Sequence, residues 1–327
     1  MKDHFGRNID YMRISVTDRC NLRCRYCMPN GIEWLPMSEI LTLDEILEIV
    51  RTAVPLGITK FKVTGGEPLV RFNCAWLIGE IGKVPGVREV TMTTNGVQLA
   101  DYLPALKEAG LRHVNVSLDT LKPDVFKEIT GRDNLAAVLR GIHAAIDAGM
   151  QVKVNTVLQK DLNESEWPAL AALAQELPVD VRFIEMMPIG YGRESAGINN
   201  RQLLELLRKQ YPGMQEDTRT HGNGPAVYYE IPGFRGTVGF ISAIHGKFCG
   251  ECNRIRLSSI GRIKPCLCFN DSVDLRGILR DAEFSPAERR EELKRAIEKA
   301  VSMKPESHTF EKPQSVTEEK QMVQIGG

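Results

Sequence analysis

The chain has 327 residues, 43% of them hydrophobic, which is enough for one large α/β domain with an appendage. Its 42 Lys and Arg residues balance its 42 Asp and Glu residues, which excludes a global field that attracts nucleic acid or an anionic membrane. The N-terminus lacks the apolar region of a signal peptide and no apolar run reaches the roughly eighteen residues of a bilayer span, so we expect a cytoplasmic protein.

Short β-rich runs alternate with amphipathic helical segments from about residue 10 to residue 190. This alternation predicts βα units and a parallel sheet. The first helical segment begins at Thr42, with Glu45 completing a capping box, and the segment that begins at Asn134 ends before Gly149. Six strands are predicted, over residues 11–16, 61–64, 90–94, 114–118, 152–157 and 181–186.

Six such units are fewer than the eight of a closed barrel. The expected fold is therefore α/β, an incomplete (βα)₆ TIM-like barrel over residues 1–190, with a doubly wound sheet as the alternative. Residues 191–327 are expected to form an appended C-terminal region. It would contain a helix over 200–211, short and mainly antiparallel strands over 227–231, 238–241 and 255–257, and a helix over 286–303. The polar stretch that follows is typical of a poorly ordered segment.

The chain has eight cysteines, and three of them, Cys20, Cys24 and Cys27, follow the first predicted strand in one short loop. Disulfide frameworks suit small secreted domains, so metal binding or catalysis is the better interpretation here. Three thiolates on a four-iron cluster leave one iron without a protein ligand. A structural zinc site is the alternative, but it needs a fourth ligand that this loop lacks.

The spacing Cys-x₃-Cys-x₂-Cys, with Tyr26 before the last cysteine, resembles the signature of the radical S-adenosylmethionine (SAM) superfamily. This resemblance implies that the open iron of a 4Fe–4S cluster chelates SAM, and that reductive cleavage of SAM yields a hydrogen-abstracting radical. The run from Thr64 to Pro68 resembles the superfamily motif that holds the amino group of SAM, which implies contacts from Gly66 and Glu67. Without the resemblance, the same run predicts only a strand-to-helix turn.

Polar side chains lie at or near the ends of the other predicted strands, at Thr93, Ser117, Asn155 and Glu185, and Met186 and Met187 come directly after Glu185. A packed barrel core does not accept such groups without partners, so we expect a polar ligand over this rim. Either methionine alone is more typical of a core gap-filler.

A second set of three cysteines, Cys249, Cys252 and Cys266, lies in the C-terminal region. A zinc site is the alternative here too, since His245 and Cys268 are available as ligands. The spacing Cys-x₂-Cys-x₁₃-Cys, together with the first set, resembles the GTP 3′,8-cyclase family of molybdenum-cofactor biosynthesis. The resemblance spans the chain from Arg13 to its end and implies a second 4Fe–4S cluster whose open iron holds the guanine base.

Several basic residues are aimed at the predicted barrel. Arg254 and Arg256 alternate on a strand directly after the second cysteine set, and Arg13, Lys60, Lys62, Lys153 and Arg182 lie on the barrel strands. So many cations in one cavity predict a strongly anionic ligand. The resemblance implies that SAM contacts Tyr26, Gly66, Ser117 and Met187, and that GTP contacts Arg13, Lys62, Thr93, Lys153, Arg254 and Arg256. We add Arg182 to the expected GTP contacts because it is one of the cations aimed at the cavity. Several family members have Arg at the position of Lys62, which weakens that one assignment.

The family resemblance also implies the reaction, which is the conversion of GTP to 3′,8-cyclo-7,8-dihydro-GTP. It gives catalytic roles to Arg13, Arg254 and Arg256, and to the C-terminal Gly326 and Gly327. It further implies a homodimer, an electron donor that the sequence does not identify, and transfer of the product to cyclic pyranopterin monophosphate synthase. Two alternatives stay open, another radical SAM enzyme with an auxiliary cluster and a zinc-stabilised binding module. Cys268 in place of Cys266, and a buried apolar role for Cys74, are also open.

Overall fold

The computed structural model of the chain describes residues 1–29, 34–194 and 197–325. The six predicted strands are present and lie side by side in chain order, each parallel to the next. Their bounds are β1 Tyr11–Ser15, β2 Lys60–Thr64, β3 Glu89–Thr94, β4 His113–Ser117, β5 Gln151–Thr156 and β6 Val179–Ile184.

Two of the helices between these strands carry the caps that the sequence predicts. Thr42 and Glu45 form the capping box of the first helix, and Gly149, with φ of 77°, follows the fifth. In the described residues the helices are α1 Leu43–Ala53, α2 Cys74–Lys83, α3 Leu99–Glu108, α4 Pro123–Thr130, α5 Leu135–Asp147, α6 Trp167–Glu176, α7 Asn200–Gln210, α8 Arg276–Arg280 and α9 Pro286–Ser302.

The C-terminal region extends the sheet at both edges. Its strands are β7 Gln215–Asp217, β8 Val227–Glu230, β9 Val238–Ile241, β10 Arg254–Leu257, β11 Arg262–Lys264 and β12 Val273–Asp274. The sheet runs β12-β11-β10-β1-β2-β3-β4-β5-β6-β9-β8-β7. The α/β expectation is confirmed, since one parallel sheet carries antiparallel strands at its ends.

Two strands that we expected to be antiparallel to their neighbours are parallel to the barrel strands. β9 is antiparallel to β8 but parallel to β6, and β10 is antiparallel to β11 but parallel to β1. The expected antiparallel pairing is confirmed among the C-terminal strands themselves, while their two pairings with barrel strands are parallel. The connection from β6, which ends at Ile184, to β9, which begins at Val238, is long enough to allow this parallel pairing.

The stretch after α9 is packed onto the structure as far as residue 325, so the expectation of poor order was wrong for residues 304–325. Phe310, Val316 and Ile325 are buried in a small second core with Ile189 and Leu267. The main core lies between the sheet and its helices. No helix in the described part of the chain is long and apolar enough to cross a membrane.

Phe183 on β6 tests the main core. Its side chain is 1% exposed and its ring lies 6.0 Å from that of Phe240. We expect Phe183→Ala to lower the free energy of unfolding by about 3–5 kcal/mol, because it leaves a cavity. Urea unfolding of the metal-free protein measures this. Phe72→Ala is the matched control, since Phe72 is 83% exposed and its loss should cost less than about 0.5 kcal/mol. Equal effects of the two variants would contradict this packing.

Candidate active site

The parallel strands curve around one central cavity. Side chains from β10, from each of β1–β6 and from β9 line it, together with the loop after β1. In parallel strands the carboxyl ends lie at one rim, which is where barrel enzymes place their reactive groups. The cavity has a thiol-bearing rim and a cationic interior.

The first cysteine set, Cys20, Cys24 and Cys27, lies in the loop after β1, and all three residues line the cavity. The loop is tightly turned, since the carbonyl of Cys24 accepts from the N–H groups of Cys27 at 3.0 Å and Met28 at 2.8 Å. Burial raises the pKa of Cys20 to about 11 and that of Cys27 to about 12, and holds the pKa of Cys24 well above its usual value. These thiols therefore stay neutral until a metal supplies positive charge, which suits a cluster bound at this rim.

The two glycines after β2 allow their loop to lie directly against the cysteine loop. A Cβ on Gly66 would lie 2.3 Å from the carbonyl oxygen of Arg19, and one on Gly65 would lie 2.8 Å from that of Thr17. The Gly66 N–H donates to Thr17 at 2.7 Å and the Glu67 N–H donates to Arg19 at 2.8 Å. Glycine is required here for close backbone approach.

The buried Glu67 side chain connects the loops after β2 and β3 at this rim. Its carboxylate accepts from the Thr94 hydroxyl at 2.7 Å, the Asn95 N–H at 2.6 Å and the Leu69 N–H at 3.0 Å. The side chain is buried and Glu67 is absent from the described residues that line the cavity. The structure therefore places Glu67 as a support for Asn95, whose amide lies 3.7 Å from the Cys20 sulfur. Its predicted contact with SAM stays a prediction.

The other four predicted SAM contacts, Tyr26, Gly66, Ser117 and Met187, line the same cavity as the first cysteine set. The Tyr26 hydroxyl donates to Asp119 at 2.8 Å, and the second Asp119 oxygen accepts from the Val157 N–H at 2.8 Å. Burial raises the pKa of Asp119 to about 6. Asp119 thus fixes the aromatic ring beside the thiols.

Five cations line the interior of the cavity, and we refer to them as the cation group: Arg13, Lys62, Arg182, Arg254 and Arg256. The parallel ladder places Arg13 opposite both Lys62 and Arg256, so like charges are neighbours. Burial and the neighbouring cations lower the pKa of Arg13, bring that of Arg256 to about 9, and hold that of Lys62 well below its usual value. Buried charges need partners. An anionic ligand would supply them.

Two nitrogens of this group support the same conclusion. Arg254 Nε and Arg256 Nη1 are buried and have no hydrogen-bond partner within the described ranges. Arg182 is held in place, since its Nε donates to Asn155 Oδ1 at 2.8 Å. Donors with fixed positions and unused hydrogens fit the oxygens of a phosphate chain.

Two further predicted residues take different places. Thr93 lines the cavity with the cation group, but Lys153 is not among the described residues that line it. Lys153 Nζ lies 3.3 Å from Asp180 Oδ2, donates to the Tyr228 hydroxyl at 3.2 Å, and also donates to the carbonyl of His221. The structure thus engages Lys153 with a loop of the C-terminal region.

The sequence analysis missed this loop, residues 221–225. It closes the lower end of the cavity, by which we mean the end near the amino ends of the strands. Gly224 and Pro225 line the cavity, and Asn223 donates to Glu89 at the start of β3. His221 lies between two carboxylates, with Nδ1 3.2 Å from Asp180 and Nε2 2.6 Å from Asp217. The only sequence signal was the run Gly-Asn-Gly-Pro, which also occurs in ordinary turns.

The second cysteine set, Cys249, Cys252 and Cys266, is half-buried at the edge of the same cavity. Arg254, two residues after Cys252, and Leu267, next to Cys266, both line the cavity. Burial opposes ionisation of Cys252, but Lys304 and Arg254 outweigh it and lower the pKa of this thiol. Thiolate character is what a metal ligand requires.

The two further zinc ligands that the sequence offered are engaged elsewhere. His245 Nδ1 lies 2.9 Å from Glu185 Oε1, and the Cys268 sulfur is buried and accepts from the Thr309 N–H at 3.4 Å. Within residues 1–29, 34–194 and 197–325, no three His, Cys, Asp or Glu side chains gather closely enough to hold one metal ion. The sulfurs around a zinc ion lie only roughly 3.8 Å apart, from Zn–S bonds of about 2.3 Å in tetrahedral geometry. A four-iron cluster is larger than a single zinc ion, so the cysteine sulfurs that bind it can lie farther apart.

The predicted catalytic residues Gly326 and Gly327 lie outside the described residues. The chain just before them reaches the site, since Met322 lines the cavity and Ile325 is buried. The tail is therefore directed to this region of the molecule at least as far as residue 325.

Comparison with known proteins gives two family models in series. Residues 14–174 match the radical SAM superfamily, and residues 179–310 match Molybdenum Cofactor Synthesis C. A GTP 3′,8-cyclase of Clostridium perfringens (strain 13 / Type A) is 44% identical over 328 residues, covering 100% of both chains. The chain belongs to the GTP 3′,8-cyclase family. One of Moorella thermoacetica is 42% identical over 331 residues, again covering 100% of each chain.

A solved structure supports the fold assignment of this cyclase-family chain. Streptococcus suis SuiB bound to S-adenosylmethionine has a TM-score of 0.61 with 16% identity, covering 86% of this chain and 68% of that one. At this identity the similarity shows the fold alone. The incomplete barrel expected from six βα units is thus confirmed as a radical SAM fold.

The pH dependence of stability tests the placement of Glu67. Burial raises its pKa from 4.5 to about 7, so the folded state binds a proton more tightly than the unfolded state. Its contribution to stability is therefore present below pH 4.5 and is lost as the pH rises to about 7. Glu67→Gln cannot titrate, and we expect its stability relative to wild type to rise with pH across that window.

Urea unfolding of metal-free wild type and Glu67→Gln between pH 4.5 and pH 7.5 measures this difference. At the acid end the variant should be about 1–3 kcal/mol less stable than wild type, because its NH₂ group faces donors from which the carboxyl group accepts hydrogen bonds. Glu80→Gln is the control, since Glu80 is only partly buried at the surface of α2. A stability difference between wild type and Glu67→Gln that stays constant with pH would refute the raised pKa.

Proposed function

We propose that this chain converts GTP to 3′,8-cyclo-7,8-dihydro-GTP, in the first step of molybdenum-cofactor biosynthesis, with SAM and two 4Fe–4S clusters as cofactors. One observation carries the proposal. The first cysteine set and the five cations line one cavity, and the second cysteine set lies at its edge. A site for radical chemistry and a site for a polyanion therefore share one enclosed space.

The residues present fit two clusters. The first cysteine set would hold one at the rim, and Cys249, Cys252 and Cys266 would hold the other. Cys266 is the better third ligand because Cys268 is buried and its sulfur accepts from Thr309. When bound, the clusters and SAM supply the hydrogen-abstracting radical and an anchor for the guanine base.

The chain's own contribution is binding and orientation. The cation group would hold the triphosphate, with Arg182 fixed by Asn155 and with Arg254 and Arg256 offering unused donors. Tyr26, Gly66, Ser117 and Met187 would contact SAM on the rim side of the cavity. These two sets of residues would hold the ribose of GTP between the SAM side and the cationic side of the cavity, where the bound cofactors would supply the radical chemistry. Fixed geometry of this kind replaces a large entropic cost of reaction.

The surrounding wall limits access of water to the reacting atoms. Gly224 and Pro225 close the lower end, while Met187 and Met322 lie at the rim. Exclusion of water protects a reactive radical from side reactions and strengthens the contacts of the cations with phosphate. In this arrangement Arg13 and Arg256 meet the substrate from neighbouring strands, and Arg13 is the candidate for delivering a proton in the last step. The catalytic role assigned to Gly326 and Gly327 remains part of the proposal.

The proposal includes three partner assignments that rest on family membership. The chain would act as a homodimer, and its product would pass to cyclic pyranopterin monophosphate synthase. The electron donor would be a separate reductant protein.

Anaerobic incubation of cluster-loaded protein with SAM, dithionite and either GTP or ATP tests the reaction. We expect 5′-deoxyadenosine and a cyclised nucleotide with GTP, and neither above background with ATP. Mass analysis of the products distinguishes the outcomes. SAM cleavage that is indifferent to GTP would leave a radical SAM enzyme but remove the substrate, and a fully iron-loaded protein that leaves SAM intact would refute the proposal.

Arg182→Met tests the cation group. Loss of a charge-assisted contact worth about 1.5–3 kcal/mol should weaken GTP binding by roughly tenfold to a hundredfold, while SAM binding stays unchanged. Equilibrium binding of GTP and of SAM to the cluster-loaded protein measures both. Arg201→Met is the matched control, since Arg201 is exposed on α7. Unchanged GTP affinity in Arg182→Met would remove this residue from the phosphate site.

A further inference from the structure

Lys304 lies just after α9 and is only 4% exposed. Its ammonium donates to the carbonyl of Arg254 at 2.9 Å and to the carbonyl of Pro265 at 2.8 Å. Its positive charge lies near Cys252 and is among the causes that lower the pKa of that thiol. Pro265 precedes Cys266, so this one cation contacts the two chain segments that carry Cys252 and Cys266.

Arg7, near the N-terminus, completes the arrangement from the other side. It is buried, and its guanidinium donates to the carbonyl of Cys249 at 2.8 Å. It also donates to the carbonyls of Pro305 at 2.6 Å and Glu306 at 2.9 Å, while its Nε is paired with Asp3 at 2.6 Å. The segment after Lys304 is thereby fixed against Cys249, whose sulfur accepts from the His308 N–H at 3.5 Å.

All three cysteines of the second set are therefore positioned through these two cations. Cys252 is separated from β10 by Asn253 and Cys266 from β11 by Pro265, whereas Cys249 lies in the loop that precedes β10. Three thiolates repel one another, and they have to be gathered before a cluster can bind. The buried Lys304 charge offsets part of that repulsion, while Arg7, whose charge is paired with Asp3, fixes the backbone.

We propose that Lys304 and Arg7 form a brace that positions the second cysteine set, and that the Lys304 charge raises the reduction potential of the cluster bound there. This inference rests on the ligand set in the proposed function. Reduction adds an electron to the cluster, and a cation against a cluster sulfur stabilises the more negative state. Both residues act through the cysteines and are positioning residues.

The test uses a parent protein in which Cys20, Cys24 and Cys27 are replaced by Ala, so that iron and electron paramagnetic resonance signals report the second cluster alone. In this parent, Lys304→Met removes the charge at nearly constant side-chain length. We expect Lys304→Met to lose half of its iron at a chelator concentration about tenfold lower than the parent requires. We also expect the midpoint potential to move to a more negative value. Lys299→Met, an exposed position on α9, should match the parent in both measurements.

A role confined to folding would lower the stability of Lys304→Met but leave the potential of the assembled cluster unchanged. Lys304→Arg keeps the charge with a different donor geometry, so its potential should stay near that of the parent even if iron is lost more readily. Parent-like retention and potential in folded Lys304→Met would overturn the inference and leave the proposed function intact. A parent that loads no iron would overturn the ligand set and the inference together.

A second variant decides the matter if Lys304→Met does not fold. Arg7→Lys keeps the charge beside Asp3 but loses the fork that reaches Cys249, Pro305 and Glu306. The brace predicts that this variant also releases iron to a chelator more readily than the parent. Retention equal to that of the parent would overturn the brace.

Discussion

The arrangement of the site depends on the cations that the curved parallel sheet holds inside the central cavity. The register places Arg13 beside Lys62 on one side and Arg256 on the other, so charges of one sign are neighbours away from bulk water. Such a group is costly unless an anion completes it. The chain as a whole is neutral, with 42 residues of each charge, so this concentration is local. This local concentration of positive charge favours the binding of a polyanion.

Strand β10 links the two halves of the chemistry. It pairs in parallel with β1, and its Arg254 and Arg256 follow Cys252 by two and four residues. The ladder places Arg254 opposite Tyr11 and Arg256 opposite Arg13, and it thereby fixes the second cysteine set at the edge of the cavity. A shift of one residue in this register would turn both arginines away from the cavity. The pairing of one short strand thus sets the distance between the second cluster site and the phosphate site.

The barrel strands and the two proposed cysteine ligand sets were predictable, because hydrophobic periodicity and capping residues mark the six βα units and cysteine spacing marks the sets. The sequence could not show which distant segments of the chain contact one another. The direction of β10 depends on how the chain returns to β1, and the loop at 221–225 looks like an ordinary turn until His221 meets Asp180 and Asp217. Glu67 was predicted as an acceptor for a ligand, yet Thr94, Asn95 and Leu69 already occupy its carboxylate.

The C-terminal stretch shows why polar composition is a poor guide to order. Residues 304–325 were expected to be poorly ordered because the stretch is polar and contains proline, but it is packed onto the structure, and its polar residues Lys304, His308 and Glu318 are buried. Glu318 is fully buried against Lys264, and its N–H donates to the carbonyl of Cys268 at 3.2 Å. A buried ion pair adds little net stability, but breaking it is costly, so it favours one path of the chain over others. That path carries Met322 into the cavity wall, which makes the tail a structural part of the site.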